Sequence, residues 1–438
     1  SATRLPAPAQ LTPPFGPRPM HILFLSHYFP PEVNAPATRT FEHCSRWVAA
    51  GHQVTVFTCA PNCPNGILYK GYKNRFFQRE TVDGIQVIRT WTYIAANRGS
   101  IRRTLNYITY MISATICSLF VIRPDIIIAT SPQFFCGWAG LIASRLRRVR
   151  CVLEIRDIWP DSIVAVGAIR NRHVLRVLEW LERRMYSASH HIVTVGEGYR
   201  DCLIRKGVPV EKISVVMNGV DQGLFSHREP VMRLKHELGL EGKFVCSYIG
   251  TIGMACGLEV VLRAARLLKE RGRNDIAFLL VGDGAIKAKL EKQASLAGLD
   301  NVVLTGRQDK ERVPDFLSIS DACLVHLKKT DLFTAVMPSK IFEAAAMGRP
   351  IINGVEGYAS KMVKEAGAGL CVEPENEQQI VEALVRLADN PGFRRSLGEA
   401  GREYFTSRFD RGRLARDYIR LIERLRADSP LQKGASVA

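Results

Sequence analysis

The sequence lacks the features that mark several classes of protein. Its eleven cysteines form no dense framework, and most of them stand in apolar runs. A thiol in such a run behaves as a small hydrophobe, so a disulfide scaffold is excluded and a reduced, cytoplasmic compartment is expected. Cys59 and Cys63 have no second pair at zinc-finger spacing, and no other metal-ligand cluster is evident, so neither a metal nor a cofactor is expected. Residues 1–19 contain six prolines and no apolar core, which is unlike a signal peptide and predicts a disordered leader or an appended remnant.

Acidic residues are also scarce relative to basic ones. The chain has 42 Asp and Glu against 60 Lys and Arg, a formal net charge of +18. Such an excess predicts an acidic partner or surface, which could be nucleic acid, anionic lipid or a phosphorylated substrate. Charge does not choose among these, but no nucleic-acid recognition motif accompanies it, so no nucleic-acid partner is expected.

Long hydrophobic runs are missing with one near exception. Residues 105–122 form 18 uncharged residues between Arg103 and Arg123. A transmembrane helix needs about 20 predominantly apolar residues, and this run contains Asn, Ser and Thr. It also leads directly into an apolar strand, as a crossover helix does. A buried helix is therefore predicted, with contact at a membrane interface as the alternative and a true span as the least favoured interpretation.

What the chain does contain is two series of strand-like apolar runs that alternate with helix-length segments. The runs are continuous in Val, Ile and Leu, which is typical of parallel strands buried on both faces. The first series lies at 21–29, 52–59, 84–91, 125–131, 150–156 and 190–196. The second lies at 243–250, 276–284, 301–306, 321–327, 349–355 and 369–374.

These series predict an α/β protein of two doubly wound, Rossmann-like domains. The first domain spans residues 20–217 and the second 244–405, joined by a turn-rich linker at 218–243. A basic amphipathic helix at 413–426, within a C-terminal segment 406–426, is expected to cross back onto the first domain. Residues 427–438 are expected to be a disordered tail.

The stronger site signals lie in the second domain, at the carboxyl ends of its strands, where open parallel sheets bind ligands. Glycine-rich turns let backbone amides approach a diphosphate, and a carboxylate one turn into a following helix can accept hydrogen bonds from two ribose hydroxyls. The predicted donor-binding residues are Gly250, Thr251, Gly253, Gly282, Asp283, Gly284, Arg307, Pro338, Ser339, Lys340 and Glu343.

The first domain offers two weaker candidate loops. The loop after the first strand carries Glu32, Asn34 and Arg39 before a helix, and it lacks the Gly-x-Gly-x-x-Gly fingerprint. It is predicted to bind the acceptor, together with Trp159, although an ordinary βα loop is the alternative. After the fifth strand, Arg156 and Asp157 stand where charged residues are often part of a site, although a capping Asp with a satisfied ion pair is the alternative.

In combination, several motifs resemble glycosyltransferase family 4 over residues 20–426. They are PSKIFEAAAMGRP (338–350), NGVD (218–221), YIGTIG (248–253), VGDG (281–284) and RDIWPDS (156–162). The resemblance implies the GT-B fold of two facing Rossmann-like domains with a C-terminal crossover helix. The segments HYFPPEVNAPATR (27–39) and CPNGILYKGYKN (63–74) are similar to a subgroup that includes WbuB-type N-acetyl-fucosaminyl transferases.

The resemblance also implies an activity and assigns roles to residues. The family transfers a sugar from a nucleotide diphosphate donor with retention of configuration and without a metal. Glu343 matches the second Glu of the Glu-x7-Glu motif, whereas the first position is Ala335. Thr251 and Cys256 stand where many relatives have Arg and Lys. The contacts to the diphosphate are therefore predicted to be rearranged, or the activity to be weak. The predicted catalytic residues are Asp157, Arg156, Lys340 and Glu343.

The expected partners follow from these assignments. They are a nucleotide-sugar donor, expected to be a UDP-sugar, and a glycan or polyprenyl-diphosphate-linked acceptor at the inner face of the cytoplasmic membrane. Basic residues of the first domain favour peripheral contact with anionic lipid, since each contributes about 1 kcal/mol there, although a solvated basic face is the alternative. Two other interpretations stay open, an enzyme that uses a soluble acceptor or sugar nucleotide and a non-catalytic nucleotide-sugar-binding scaffold.

Overall fold

The computed structural model describes residues 19–32, 34–63, 66–95, 100–131, 133–165 and 171–427. The predicted leader and tail fall outside these ranges, apart from Pro19 and Ala427. Within them the chain forms two α/β domains, each built on one twisted and mainly parallel sheet. The predicted class of fold, with two α/β domains on parallel sheets, is therefore confirmed.

The sheet of the N-terminal domain has eight strands in the order β3-β4-β2-β1-β5-β6-β7-β8. Their bounds are β1 His21–Leu25, β2 Gln53–Cys59, β3 Phe77–Val82, β4 Ile85–Thr90, β5 Ile126–Thr130, β6 Arg150–Ile155, β7 His191–Thr194 and β8 Ile213–Val215. The strands β1 and β5 are buried along their whole length. This explains why their sequences are continuous apolar runs without alternation.

Strands β3 and β8 were not predicted from the sequence. The strand β3 is antiparallel to β4 and lies at the edge of the sheet, and its residues alternate between half-buried and exposed. Its sequence, FQRETV, is mostly polar. A polar edge strand gives no apolar run, and for that reason the sequence pattern did not reveal it.

The helices of the N-terminal domain cover both faces of this sheet. They are α1 Ala35–Ala49, α2 Ser100–Ser118, α3 Phe134–Arg147, α4 Asp161–Ala165, α5 Arg172–Ala188 and α6 Glu197–Arg205. Asn34 begins α1, since its side chain accepts a hydrogen bond of 2.9 Å from the backbone N–H of Ala37. This is the usual way in which an Asn satisfies a free amide at a helix start.

The C-terminal domain has six parallel strands in the order β11-β10-β9-β12-β13-β14. Their bounds are β9 Phe244–Ile249, β10 Ile276–Val281, β11 Val302–Gly306, β12 Ala322–His326, β13 Ile351–Gly354 and β14 Gly369–Cys371. The chain leaves β9 in one direction through β10 and β11 and resumes on its other side at β12. The boundary between β9 and β12 is therefore the topological switch point, where a ligand crevice opens at the carboxyl ends of the strands.

Eight helices accompany the second sheet within the described residues. They are α7 Met232–Glu237, α8 Glu259–Glu270, α9 Lys287–Leu296, α10 Val313–Ser318, α11 Lys340–Ala346, α12 Tyr358–Glu365, α13 Glu377–Asp389 and α14 Pro391–Arg408. The last of them ends at Arg408, three residues beyond the domain end predicted at 405.

A last helix, α15 Arg411–Ala427, returns to the N-terminal domain as predicted. Tyr418 and Ile422 are fully buried in one apolar cluster with Trp47. The indole of Trp47 donates a hydrogen bond of 3.0 Å to the carbonyl of Ala415. The chain thus passes between the domains twice, and the two passages meet where Val220 pairs with Asp410.

The uncharged run at 105–122 lies mostly in α2. One face of this helix is buried, including Tyr110, Ala114 and Cys117, while Leu105, Ile112 and Ile116 are exposed. No helix among the described residues has the length and apolar character that crossing a bilayer requires. The prediction of a buried crossover helix is confirmed for one face only.

Candidate active site

Three backbone loops pack against one another at the carboxyl ends of β9, β10 and β11. Gly250, Gly282 and Gly284 have φ angles of 141°, 146° and 159°. A Cβ on Gly282 would lie 1.9 Å from the carbonyl oxygen of Gly250, and one on Gly284 would lie 2.4 Å from that of Ile252. Glycine is therefore required at both positions, because any side chain would separate the loops. The predicted glycines are brought together at one sheet edge.

Lys340 lies at the switch point between the loops that follow β9 and β12. Its Nζ is 3.6 Å from the centre of the Tyr248 ring, and a Cβ on Gly250 would lie 3.2 Å from the same nitrogen. Tyr248 is itself fixed, since its hydroxyl donates a 2.8 Å hydrogen bond to the carbonyl of Thr251. Burial lowers the pKa of Lys340 to about 8. The site thus holds a dehydrated cation beside glycine backbone, an arrangement that suits a phosphate.

Glu343 projects from α11, one turn beyond Lys340. Its side chain is about one-fifth exposed, and Nη2 of Arg411 is 4.0 Å from its Oε1. Burial raises the pKa of Glu343, while the charges of Arg411 and Lys310 act to lower it. Among the described residues its carboxylate accepts no hydrogen bond. The carboxylate is therefore available to a ligand that brings its own donors, such as the vicinal hydroxyls of a ribose.

The remaining predicted donor residues surround this crevice with different exposures. Thr251 and Arg307 are exposed, and the Asp283 carboxylate accepts a 2.8 Å hydrogen bond from the backbone N–H of Gly284. Pro338 and Ser339 precede α11, which begins at Lys340, two residues after the start at Pro338 that the sequence pattern predicts. Asp283 shapes its own loop, and its predicted contact with the donor remains a prediction.

His326, at the end of β12, is a site residue that sequence reasoning missed. Its Nδ1 lies 2.7 Å from the carbonyl oxygen of Cys256, and its Nε2 accepts a 2.8 Å hydrogen bond from the backbone N–H of Glu375. These partners require a neutral ring with the proton on Nδ1, and burial lowers the pKa in agreement. His326 ties the loop after β9 to the loop after β14. Its place directly at a strand's carboxyl end was the available signal.

Ala335, where family 4 commonly has a Glu, is buried against the N-terminal domain. It is 3% exposed and belongs to the apolar cluster that contains Trp159, Tyr199 and Leu203. A Cβ on Gly198, in α6, would lie 2.6 Å from the Cα of Ala335. A glutamate at this position would have no room in the observed domain arrangement. In this chain, the position of the missing carboxylate is therefore used for a contact between the domains.

The three polar residues predicted in the first loop have partners within the N-terminal domain. Glu32 is 3% exposed, and its Oε1 accepts hydrogen bonds of 2.9 Å from the backbone N–H groups of Asn62 and Cys63. Asn34 caps α1. Arg39 pairs with the fully buried Glu154 at 3.2 Å and donates a 2.9 Å hydrogen bond to the carbonyl of Val216. These contacts give all three residues structural roles, while acceptor binding stays a prediction for each.

The loop after β6 remains a candidate for chemistry. Burial raises the pKa of Asp157 and lowers that of Arg156 to about 10. The Nη1 of Arg156 is buried without a hydrogen-bond partner in the described part of the chain. Trp159 stacks on Phe134 with ring centres 4.4 Å apart, so one face of the indole is already covered. Arg156 is thus the residue of this loop with unused donor capacity.

Across the described ranges, no group of three or more His, Cys, Asp or Glu side chains is arranged to hold a metal ion. The positive charge near the glycine loops comes from Lys340, with Arg307 at the exposed rim.

Two protein-family models match the chain, and together they span most of it. "Glycosyl transferase 4-like domain" matches residues 34–219, and "Glycosyl transferases group 1" matches residues 233–404. The chain is a glycosyltransferase. The boundary between the matched regions falls in the predicted linker, and the group 1 region contains the glycine loops, Lys340 and Glu343.

Known proteins resemble the glycosyltransferase along nearly its whole length. The putative colanic acid biosynthesis glycosyl transferase WcaI of Escherichia coli K12 is 28% identical over 91% of this chain and 99% of its own. Sucrose-phosphate synthase from Thermosynechococcus elongatus superposes with a TM-score of 0.72 at 19% identity, covering 94% of this chain and 100% of that one. The Anabaena HepE complex with UDP-glucose gives 0.70 at 16%, covering 92% and 99%. At these identities the two structures establish the GT-B fold.

Proposed function

We propose that this glycosyltransferase moves a sugar from a nucleoside diphosphate donor to a lipid-linked glycan during surface-polysaccharide biosynthesis. The observation that carries the proposal is the meeting of Lys340, the glycine loops after β9 and β10 and the carboxylate of Glu343 at one switch point. The spacing of these groups along the crevice suits a diphosphate followed by a ribose. The printed names support the rest, since WcaI is named for colanic acid biosynthesis and HepE was crystallised with UDP-glucose.

The proposed donor is a UDP-sugar, and an N-acetylated deoxy sugar is the candidate that the WbuB-type segments favour. Glu343 would accept hydrogen bonds from the two ribose hydroxyls, because an ionised carboxylate has free acceptor positions for both. The amides at Gly250 and Gly253, with Lys340, would hold the diphosphate. Ala335 is turned into the domain interface, so the sugar ring must be recognised by other groups.

In the proposed reaction the bond between C1 of the sugar and the diphosphate oxygen breaks as the acceptor oxygen bonds to C1 on the same face. The configuration at C1 is therefore retained. The acceptor proton passes to the departing phosphate oxygen. Lys340 and Arg156 stabilise the negative charge that develops on the diphosphate, and no metal is required for that task. Asp157 orients the acceptor hydroxyl.

The acceptor is proposed to reach the enzyme at an anionic membrane, through a surface that we call the α2 face. Its exposed apolar residues are Phe76, Trp91, Tyr93, Leu105, Ile112, Ile116, Leu119, Phe120 and Ile122. The Ser113 hydroxyl in α2 donates a 2.6 Å hydrogen bond to the carbonyl of Trp91, so helix and strand form one surface. Arg147 donates to the carbonyls of Leu119 and Val121 at the same end. An apolar patch bordered by arginines fits an anionic lipid interface.

The test of the donor site is calorimetric binding of UDP to wild type and to Glu343→Gln. We expect the variant to bind about 10- to 100-fold more weakly, since hydrogen bonds to a charged group contribute about 1.5–3 kcal/mol. Glu270→Gln, exposed at the end of α8, is the matched control and should bind as wild type does. Equal affinity of Glu343→Gln and wild type would reject the ribose assignment. Thermal shifts with a panel of UDP- and GDP-sugars would then identify the donor.

A further inference from the structure

A network of ionised side chains joins the two domains directly beside Glu343. Glu42, in α1 of the N-terminal domain, pairs with Lys310 of the C-terminal domain at 2.6 Å and also with Arg411 at the start of α15. Arg411 reaches toward Glu343 with its other terminal nitrogen, 4.0 Å from the carboxylate. Three separate segments of the chain therefore converge on the proposed ribose carboxylate, and Glu42 comes from the opposite domain.

The network balances two carboxylates with two cations in a poorly hydrated space. The side chains of Glu42, Arg411, Glu343 and Lys310 are only 13%, 14%, 21% and 22% exposed. Arg411 is also anchored by a 2.8 Å hydrogen bond from its Nε to the carbonyl of Gly219, at the passage between the domains. Removing any one member leaves an unbalanced charge whose field is weakly screened.

We propose that Glu42, Lys310 and Arg411 form an interdomain latch that sets the ionisation of Glu343 and so couples closure of the cleft to the grip on the nucleotide. All three act as positioning residues. When the domains are closed, Arg411 and Lys310 keep Glu343 ionised despite the approach of Glu42. When the cleft opens, the Glu42–Lys310 pair between the domains separates. The inference rests on the proposed function for the role of Glu343 in nucleotide binding.

Each charged group of the latch raises or lowers the pKa of Glu343 in a defined direction. The groups that face its carboxylate are Arg411 of α15, Lys310 after β11, Glu42 of α1 and Lys340 of its own helix. The three cations lower the pKa of Glu343, and Glu42 raises it together with burial. Neutralising Glu42 must therefore lower this pKa, and neutralising Lys310 must raise it. A purely structural role would produce no such opposition.

The experiment follows the titration of Glu343 in the whole, nucleotide-free protein by NMR of 13C-labelled glutamate side chains. The signal is assigned by its absence in Glu343→Gln. We expect Glu42→Gln to shift the titration to lower pH and Lys310→Met to shift it to higher pH. Each shift should be about half a unit or more, since a neighbouring charge acts at this scale. The double variant should titrate close to wild type, and so should Glu42→Asp, which keeps the charge.

Binding of UDP, measured across the acidic limb of the Glu343 titration, provides the second readout. On that limb a half-unit shift changes the ionised fraction by up to about threefold, so Glu42→Gln should bind up to about threefold more tightly than wild type and Lys310→Met up to about threefold more weakly. Shifts of Glu343 in one direction for both variants, or none, would overturn the latch whatever the protein binds. Opposite shifts of Glu343 in a protein that binds no nucleotide would instead support the latch and contradict the proposed function.

Discussion

The two domains share one architecture but use the carboxyl ends of their strands differently. In the C-terminal domain, glycines allow the loops after β9 and β10 to approach each other closely, and Lys340 and Glu343 keep capacity for a ligand. In the N-terminal domain, the polar residues of the first loop have their partners inside the fold. The Glu32 carboxylate accepts hydrogen bonds from two backbone amides, and Arg39 forms an ion pair with Glu154. The same edge of a Rossmann-like sheet can therefore serve a ligand or the domain itself.

This difference has a physical origin in the state of each charged group. A buried charge with a full set of partners has nothing left to donate, and removing one partner leaves the other charge uncompensated. A dehydrated charge without such partners costs stability and gains binding energy when an ion of opposite sign arrives. Arg39 is of the first kind. Lys340, whose pKa burial lowers to about 8, is of the second.

The largest effect is expected from Arg39→Met, which tests the structural half of the comparison. The change leaves the fully buried Glu154 without its cation, so the free energy of unfolding should fall by about 3–5 kcal/mol. Denaturant unfolding measures it. Arg233→Met, in an exposed pair with Glu237, is the control and should change stability by no more than about 0.5 kcal/mol. A fully stable Arg39→Met that had lost acceptor turnover would instead assign Arg39 to the acceptor site.

A smaller effect, on binding and not on stability, is expected from Lys340→Met. Loss of the cation should weaken UDP binding about 10- to 100-fold while the fold stays at least as stable, because a dehydrated charge has been removed. In wild type only the protonated amine attracts the diphosphate, so the contribution of Lys340 to affinity is present below about pH 8 and should be lost as the pH rises through about 8.

Calorimetry from pH 6 to pH 9.5 measures this dependence. Lys340→Arg, whose guanidinium stays charged, should remove the alkaline fall. Lys243→Met, before the opposite end of β9, should leave affinity and its pH profile unchanged. An alkaline fall that persists in Lys340→Arg would assign the titration to another group.

The smallest effect is expected from changes in the α2 face, which is the surface proposed to bind the membrane. The C-terminal domain has no such proposed role. Replacing both Ile112 and Ile116 by Glu should weaken binding to phosphatidylglycerol vesicles by about 1 kcal/mol per side chain, or at most roughly 30-fold, with UDP binding retained. Leu296→Glu changes a more exposed apolar residue of the C-terminal domain and serves as the control. Co-sedimentation measures both. If the two proteins lose vesicle binding equally, the α2 face is not the docking surface.

Prediction from sequence succeeded best where a residue's role depends on its neighbours along the chain. The buried parallel strands and the helix α15 could be found because their apolar patterns are local features of the sequence. Gly282 and Gly284 were found for a similar reason, since a glycine-rich turn after a strand reports a local backbone requirement. The edge strand β3 was missed because its residues are mostly polar.

The sequence alone determined that this protein has two α/β domains and that the second carries Lys340 and Glu343 on one turn of a helix. Only the tertiary structure decided how the charges are paired. It placed Ala335 against Gly198, paired Arg39 with Glu154 and brought Glu42 close enough to Glu343 to affect its ionisation. These partners are more than a hundred residues apart in the chain, and the strength of each contact depends on distance and dehydration, which no local pattern encodes.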